Sequence, residues 1–330
     1  MKARKPKPRL TLITAGGTIS LVRDPQTGKS VPGLSGADLL HRTTVAEAFA
    51  ARVIDLVEQT KSLRQPEELL DLARHIQRAA KASDGVVVTQ GTDTLEEITY
   101  LVDETVQTSV PIVFTGAMRP SWTTGYDGIR NLENALRIAA TVSAEYGTLV
   151  TMHDDIFQAW SVYKTDTEAL DAFSARRGAP VGRIFGDQIA LTWRPIPRAR
   201  FGKIPQALPA SVPILMMGGA DDGIAFDCVT AAKVQGVVVA GMAAGTVPPA
   251  AYEKLLVLAK TGLPIVLCSG AASGRTAEEY YYPKAYDELR AAGVAIEDWL
   301  SPRKARIRLI LSIGLAVPYV PFGREFIAKS

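Results

Sequence analysis

Short apolar runs alternate with longer stretches whose apolar residues recur every three or four positions, and the alternation covers most of the 330-residue chain. Leu10–Ile13, Val53–Val57, Val86–Val88, Pro111–Phe114 and Thr148–Met152 are runs of the kind that a strand buried on both faces presents. Helical periods separate them. Pro66 opens one, with Leu69, Leu70, Leu72, Ala73 and Ile76 on one face. A second carries Leu95, Ile98, Leu101 and Val102, and a third, Asp127 to Ala144, carries Ile129, Leu132, Ala135, Leu136, Ile138 and Ala139. The same order returns later, with strands at Ile214–Met217, Val237–Ala240 and Ile265–Cys268 and helices at Phe226–Lys233, Ala250–Lys260, Tyr286–Ala292 and Lys304–Gly314. Strand–helix alternation of this kind predicts an α/β protein with doubly wound sheets. Five prolines from Pro195 to Pro213 mark the interruption as a linker. The expected organisation is a larger N-terminal domain over residues 1–192 with a mostly parallel sheet, a linker over 193–212, and a smaller parallel domain over 213–330.

Composition changes this picture little. Hydrophobic content of 47% and charged content of 22% are ordinary for a globular protein, and the net charge is +3. The segment Lys2–Arg9 holds five of the 37 basic residues, but no aromatic side chain interleaves them, so a nucleic-acid partner is not expected. The apolar run behind that arm breaks at Gly16-Gly17, too short for a secretory core or a membrane span, and the expected location is the cytoplasm. Cys228 and Cys268 form no CxxC pair and read as small core residues. His41, His75 and His153 lack ligand spacing, so no metal is expected.

Candidate chemistry lies at two strand tips. Val86–Val88 ends in Thr89-Gln90-Gly91-Thr92-Asp93, and Thr94 with Glu97 three residues on predicts a capping box opening the next helix. The carboxyl end of a strand in an open α/β sheet is where ligands bind. Leu10–Ile13 ends in Thr14-Ala15-Gly16-Gly17-Thr18-Ile19, whose glycines admit positive φ and close backbone approach. Ser20 to Gly36 has no apolar period and reads as a structureless lid loop. A threonine hydroxyl needs a neighbouring base to become a nucleophile. Asp93 is adjacent to Thr92, and downstream Lys164, in Tyr163-Lys164-Thr165-Asp166-Thr167, is a candidate base that could complete a Thr–Lys–Asp relay. Arg119 reads as holding its own loop through an ion pair.

Thr14-Ala15-Gly16-Gly17-Thr18-Ile19 and Gly91-Thr92-Asp93-Thr94-Leu95-Glu96-Glu97, taken together, resemble the paired signature of the bacterial-type L-asparaginase and glutaminase family. The likeness continues through Thr115-Gly116-Ala117-Met118-Arg119-Pro120, Asp127-Gly128 with Asn131, and Lys164-Thr165. The resemblance implies hydrolysis of L-asparagine to L-aspartate and ammonia without a cofactor. It implies Thr18 as the nucleophile, and Thr92, Lys164 and Asp93 as a second set that activates water or a nucleophile. Asp93 would also hold the substrate's α-amino group, and Gly17, Ser62, Gly91 and Ala117 would line the pocket. It implies a homodimer or homotetramer with sites between subunits, to which Glu278 would contribute. This chain departs from the family in having no tyrosine between Ser20 and Gly36, and Lys61 stands where the family's substrate-binding serine is expected, one place from Ser62. The alternatives are hydrolysis of glutamine or another amino acid amide, and binding of asparagine or aspartate without turnover.

Overall fold

The computed structural model describes residues 6–56, 65–195, 197–209, 211–277 and 285–323. The chain divides into two compact units, Met1–Ile204 and Pro205–Ser330, the division falling within the proline-bearing tract.

The first unit begins with β1 (Arg9–Ala15), a 3-10 turn at Thr18–Ser20, β2 (Leu21–Arg23), β3 (Ser30–Pro32), α1 (Gly36–His41), β4 (Ala50–Asp55) and α2 (Pro66–Ala80). It continues through β5 (Gly85–Gln90), α3 (Leu95–Thr105), β6 (Ile112–Thr115), α4 (Gly128–Thr141) and β7 (Thr148–Met152). Five short strands close it: β8 (Asp155–Gln158), β9 (Val162–Lys164), β10 (Phe173–Ala175), β11 (Gly182–Phe185) and β12 (Gln188–Leu191). Its main sheet runs β12-β11-β8-β7-β6-β5-β1-β4. The strands from β4 to β7 are parallel, and β8, β11 and β12 join antiparallel. The reversal happens at the two residues after Met152, where His153 takes φ +55 and folds β8 back on β7.

Every residue of β5 is buried, as its valine run requires. Successive side chains leave a strand on opposite faces. Leu12, Val87 and Val113 thus share one face with Leu39 of α1 and Leu132, Ala135 and Leu136 of α4. The alternate positions, Val86, Val88 and Phe114, turn to the other face, where α2 and α3 pack. The sheet is doubly wound because its strands are apolar on both sides.

The second unit has β13 (Ile214–Met216), α5 (Ile224–Ala232), β14 (Val237–Gly241), α6 (Pro249–Ala259), β15 (Ile265–Ser269), α7 (Ala285–Ala291), β16 (Ala295–Glu297) and α8 (Pro302–Gly314). Its four strands are parallel in the order β13-β14-β15-β16. Phe226, Leu255, Leu289, Val237, Val239 and Leu267 form the core beneath α5, α6 and α7.

Several expectations are corrected. Ser20–Gly36 is not structureless: β2 and β3 pair antiparallel, with Val22 opposite Val31. The turn between them is set by Asp24, whose Oδ1 accepts from the amides of Gln26 and Thr27, and by Gly28 at φ +68. Thr94 does precede α3, but it forms no capping box. Its φ of −114° and ψ of 3° lie outside the extended region that capping needs, and its hydroxyl accepts from Gln90 Nε2 at 3.2 Å. Cys228 is exposed on α5, because Phe226 and Val229 take that helix's buried face; Cys268 is buried in β15. Arg198, in the proline-bearing tract, is buried against Asp103 and Glu104 of α3.

Candidate active site

Register places the chemistry. In the parallel pairs, Ala15 stands opposite Gln90 and Thr89 opposite Thr115, so β1, β5 and β6 end at one level. The tips Gly16-Gly17-Thr18, Gly91-Thr92-Asp93 and Gly116-Ala117 therefore lie side by side at the carboxyl edge of the sheet. They touch backbone to backbone. Gly17 has φ +90, and a Cβ there would sit 2.3 Å from the Gly91 nitrogen. A Cβ on Gly116 would sit 2.6 Å from the Gln90 carbonyl oxygen. Only glycine permits either approach.

Thr18 opens the 3-10 turn and is half-buried. Among the described residues nothing hydrogen-bonds its hydroxyl, and the N–H groups of Thr18 and Thr92 also have no protein acceptor. Two free amide donors on adjacent strand tips are the geometry an oxyanion needs.

Thr92, 7% exposed, is engaged. Lys164 Nζ donates to its Oγ1 at 2.9 Å and lies 3.7 Å from Asp93 Oδ1. The lysine side chain is 16% exposed while that of Asp93 is 79% exposed, so the carboxylate faces outward with room for a second cationic partner. Lys164 sits on β9, which among the described residues pairs with β10 alone, in a small ribbon apart from the main sheet. Glu96, buried in the first turn of α3, accepts the Lys164 backbone N–H at 3.0 Å and docks that ribbon against the helix. A nucleophile and a base within hydrogen-bond reach, with a third group beside the base, make up a proton-relay arrangement.

Two more side chains shape the β6 tip. Asp127 accepts from the amides of Met118 and Arg119 and from Asn131 Nδ2, and Asn131 Nδ2 also donates to the Gly116 carbonyl at 3.0 Å. They fix the backbone around Ala117, itself buried. Arg119 makes no ion pair among the described residues and donates instead to the Gly125 carbonyl at 3.4 Å.

Of the residues singled out in the sequence, Gly17, Gly91, Thr92, Asp93 and Lys164 are drawn together, with Thr18 and Ala117 on the adjoining tips. Ser62 and Glu278 lie outside the described residues. Sequence reasoning assigned no role to Glu96, Asp127, Asn131 or Tyr126. Nothing in the sequence set Glu96 apart from Glu97 in the same first turn; its burial is a finding of the structure.

Comparison with known proteins bears on the whole chain. The asparaginase N-terminal family model matches residues 9–197, and the glutaminase/asparaginase C-terminal domain model matches residues 211–317. A probable L-asparaginase of Deinococcus radiodurans is 31% identical over 97% of this chain and 97% of its own length. L-asparaginase 2 of Escherichia coli is 30% identical over 93% of this chain and 89% of its own. Among solved structures, a probable cytoplasmic L-asparaginase from Campylobacter jejuni superposes with a TM-score of 0.79 at 28% identity, covering 93% of this chain and 95% of that one. No helix among the described residues is long and apolar enough to cross a membrane. A sheet carrying three level strand tips, a lysine on the threonine of one of them, and family matches across both units lead to one conclusion: the chain belongs to the asparaginase family of amidohydrolases.

Proposed function

We propose that the chain hydrolyses the side-chain amide of L-asparagine to L-aspartate and ammonia. Thr18 is the nucleophile in this reading, and Thr92, Lys164 and Asp93 form the relay. The observation that carries it is the Lys164 Nζ contact to Thr92 Oγ1 at 2.9 Å, on a strand tip in backbone contact with the tip bearing Thr18. Thr18 Oγ1 bonds to the amide carbon, its proton passes to a basic group at the site and from there to the leaving nitrogen, and the carbonyl oxygen takes negative charge against the Thr18 and Thr92 amides. Collapse breaks the C–N bond, and the nitrogen departs as ammonia with the added proton. Water then attacks the threonyl ester, the C–O bond breaks, and Thr18 recovers its proton as aspartate is released. Lys164 exchanges a proton with Thr92 along their shared hydrogen bond and so serves the water-activating half. The exposed Asp93 carboxylate takes the substrate's ammonium group, which gives a preference for α-amino acid amides.

The same reading has the enzyme acting as a homodimer or homotetramer in the cytoplasm, with a neighbour's Glu278 closing the pocket. Sedimentation of the purified chain tests the assembly.

Ammonia release from L-asparagine, L-glutamine and D-asparagine tests the chemistry. Release from L-asparagine that disappears in Thr18→Ala supports the reading, and a higher kcat/KM for glutamine replaces the substrate. The lack of a tyrosine between Ser20 and Gly36 favours one competing reading, a protein that binds asparagine or aspartate without turnover. Calorimetric aspartate binding with no ammonia release from any amide establishes that alternative.

A further inference from the structure

The Thr18–Ser20 turn has little rigidity of its own. It follows two glycines at φ +77 and +90, and internally it is closed by Ser20, whose N–H and Oγ both reach the Gly17 carbonyl, at 3.1 and 3.0 Å. Glycine supplies conformational freedom and no orientation. Yet a nucleophile must be held close to its productive geometry, since a shift of about 1 Å costs on the order of 10²-fold in rate. The turn's orientation has to be imposed from outside.

Gly33 and Leu34 hold its far end, their N–H groups donating to the Ser20 carbonyl at 3.0 Å, and one side chain reaches the residue next to Thr18. Tyr126, 107 residues away, donates its phenol O–H to the Ile19 carbonyl at 2.6 Å, next to Thr18. Its ring packs against the same apolar core that buries the Ile19 side chain. Its own place is fixed, because the following residue is Asp127, tied to the amides of Met118 and Arg119. Gly128 leaves the phenol its space: a Cβ there would lie 2.4 Å from the Tyr126 oxygen. Ser121 adds a parallel tie, its hydroxyl donating to the Leu21 carbonyl at 2.6 Å.

We propose that Tyr126 is the positioning residue for Thr18, locking the nucleophile's turn to the loop that also carries Ala117. The proposal rests on the reading of Thr18 as nucleophile. Tyr126 acts through the Ile19 carbonyl and exchanges no proton with substrate. Burial pushes its phenol well above the ordinary tyrosine range, so it remains a neutral donor at the pH of an ordinary assay.

Two variants test this by different routes. Tyr126→Phe removes only the donor, and Gly128→Ala keeps the donor but displaces the phenol. Both are assayed with L-asparagine beside wild type and Thr18→Ala, with circular dichroism reporting the folded fraction. The expected result is a fall of about tenfold in kcat for each, KM within about twofold, and an unchanged shape of the pH–rate profile from pH 6 to 9. An inactive wild type, or an active Thr18→Ala, defeats the functional reading itself. An active wild type and inactive Thr18→Ala, with Tyr126→Phe at wild-type kcat, defeats this proposal alone. Loss of one limb of the pH profile in Tyr126→Phe also overturns it, since Tyr126 would then be titrating in the reaction. So does a fall in activity that merely tracks the folded fraction.

Discussion

Gly17→Ala tests whether the two threonine-bearing tips work as one site. The added Cβ would lie 2.3 Å from the Gly91 nitrogen, 2.5 Å from its Cα and 2.6 Å from the Gln90 carbonyl carbon. All three are backbone atoms, so no side-chain rotation relieves the overlap. Restoring an ordinary contact parts the tips by about 1 Å, and misplacement on that scale costs on the order of 10²-fold. The glycine-only backbone adds about 1–3 kcal/mol of strain. The expected outcome is therefore a loss of about 10²-fold in kcat/KM in a protein that still folds, with a lowered thermal midpoint. Gly28→Ala is the control. It also has positive φ, +68, but its nearest neighbour is Arg23 Nη2 at 3.9 Å, so it carries strain of about 1–2 kcal/mol and no collision. Ammonia release and thermal melts on both variants separate strain from geometry. A folded Gly17→Ala with wild-type kcat/KM would refute the claim that these tips must touch.

Three further perturbations address other parts of the molecule. Lys164→Met removes the donor to Thr92 and should lower kcat by about 10²–10⁴-fold, read in steady-state ammonia release; a change in KM alone would make Lys164 a binding residue only. Arg198→Met removes the cation shared by Asp103 and Glu104, side chains 3% and 0% exposed, while Arg200 stays 3.3 Å from Asp103, and should cost about 3 kcal/mol in urea unfolding; a cost below about 1 kcal/mol would mean the remaining partners are enough. In the second unit, burial pushes the Glu297 carboxyl up, against hydrogen bonds from Tyr319, Phe322 and Trp299 that pull it down. A raised folded pKa means that this contribution is full below the unfolded carboxylate value and is lost as pH rises through the folded one. The stability gap between wild type and Glu297→Gln should then narrow from pH 4 to pH 7, followed by Trp299 fluorescence in urea; a widening gap would mean that the hydrogen bonds outweigh burial.

Much of the scaffold was legible because its strands are apolar on both faces. The Val86–Val88 run and the Leu132–Ile138 period each announce an element through composition alone. The short strands were not, for a physical reason. β2, β3 and β9 have three residues each, too few for a period of two to register, and their polar neighbours hide them. Asp24-Pro25-Gln26-Thr27-Gly28 did carry a turn signal, since an Asp that accepts from the next amides and a glycine four residues on make a tight reversal. The antiparallel strands after Met152 escaped because β8, β11 and β12 have four residues each and lack intervening helices. Within the site, each tip was visible locally as glycine beside threonine. Their adjacency was not, because it follows from β1 lying between β4 and β5, which no local pattern encodes. Lys164 was a candidate on chemistry, as a lysine able to serve as a base, and only family likeness joined it firmly to Thr92, since spacing offers no reason to pair residues 72 positions apart.

The missing lid tyrosine takes on a different meaning once Ser20–Gly36 is seen as a tied hairpin. Gly33 and Leu34 both donate to the Ser20 carbonyl at 3.0 Å, and Ser121 holds Leu21. A hairpin tied at its base, at the start of β2 and just past the end of β3, is poorly suited to carry a base in and out of the site. Tyr126 supplies a phenol beside the same turn, but its proton is committed to a carbonyl, so it can orient Thr18 and cannot deprotonate it. Under the proposed mechanism, acceptance of the Thr18 proton then falls to the neighbouring tip, where Lys164 contacts Thr92, or to a group outside the described residues. These routes differ in what they demand of Lys164. If Lys164 takes the proton, Lys164→Met slows the first ammonia release in a single turnover; if it serves only water attack, that release keeps its rate and the threonyl ester accumulates, visible by mass spectrometry as a covalent adduct on Thr18.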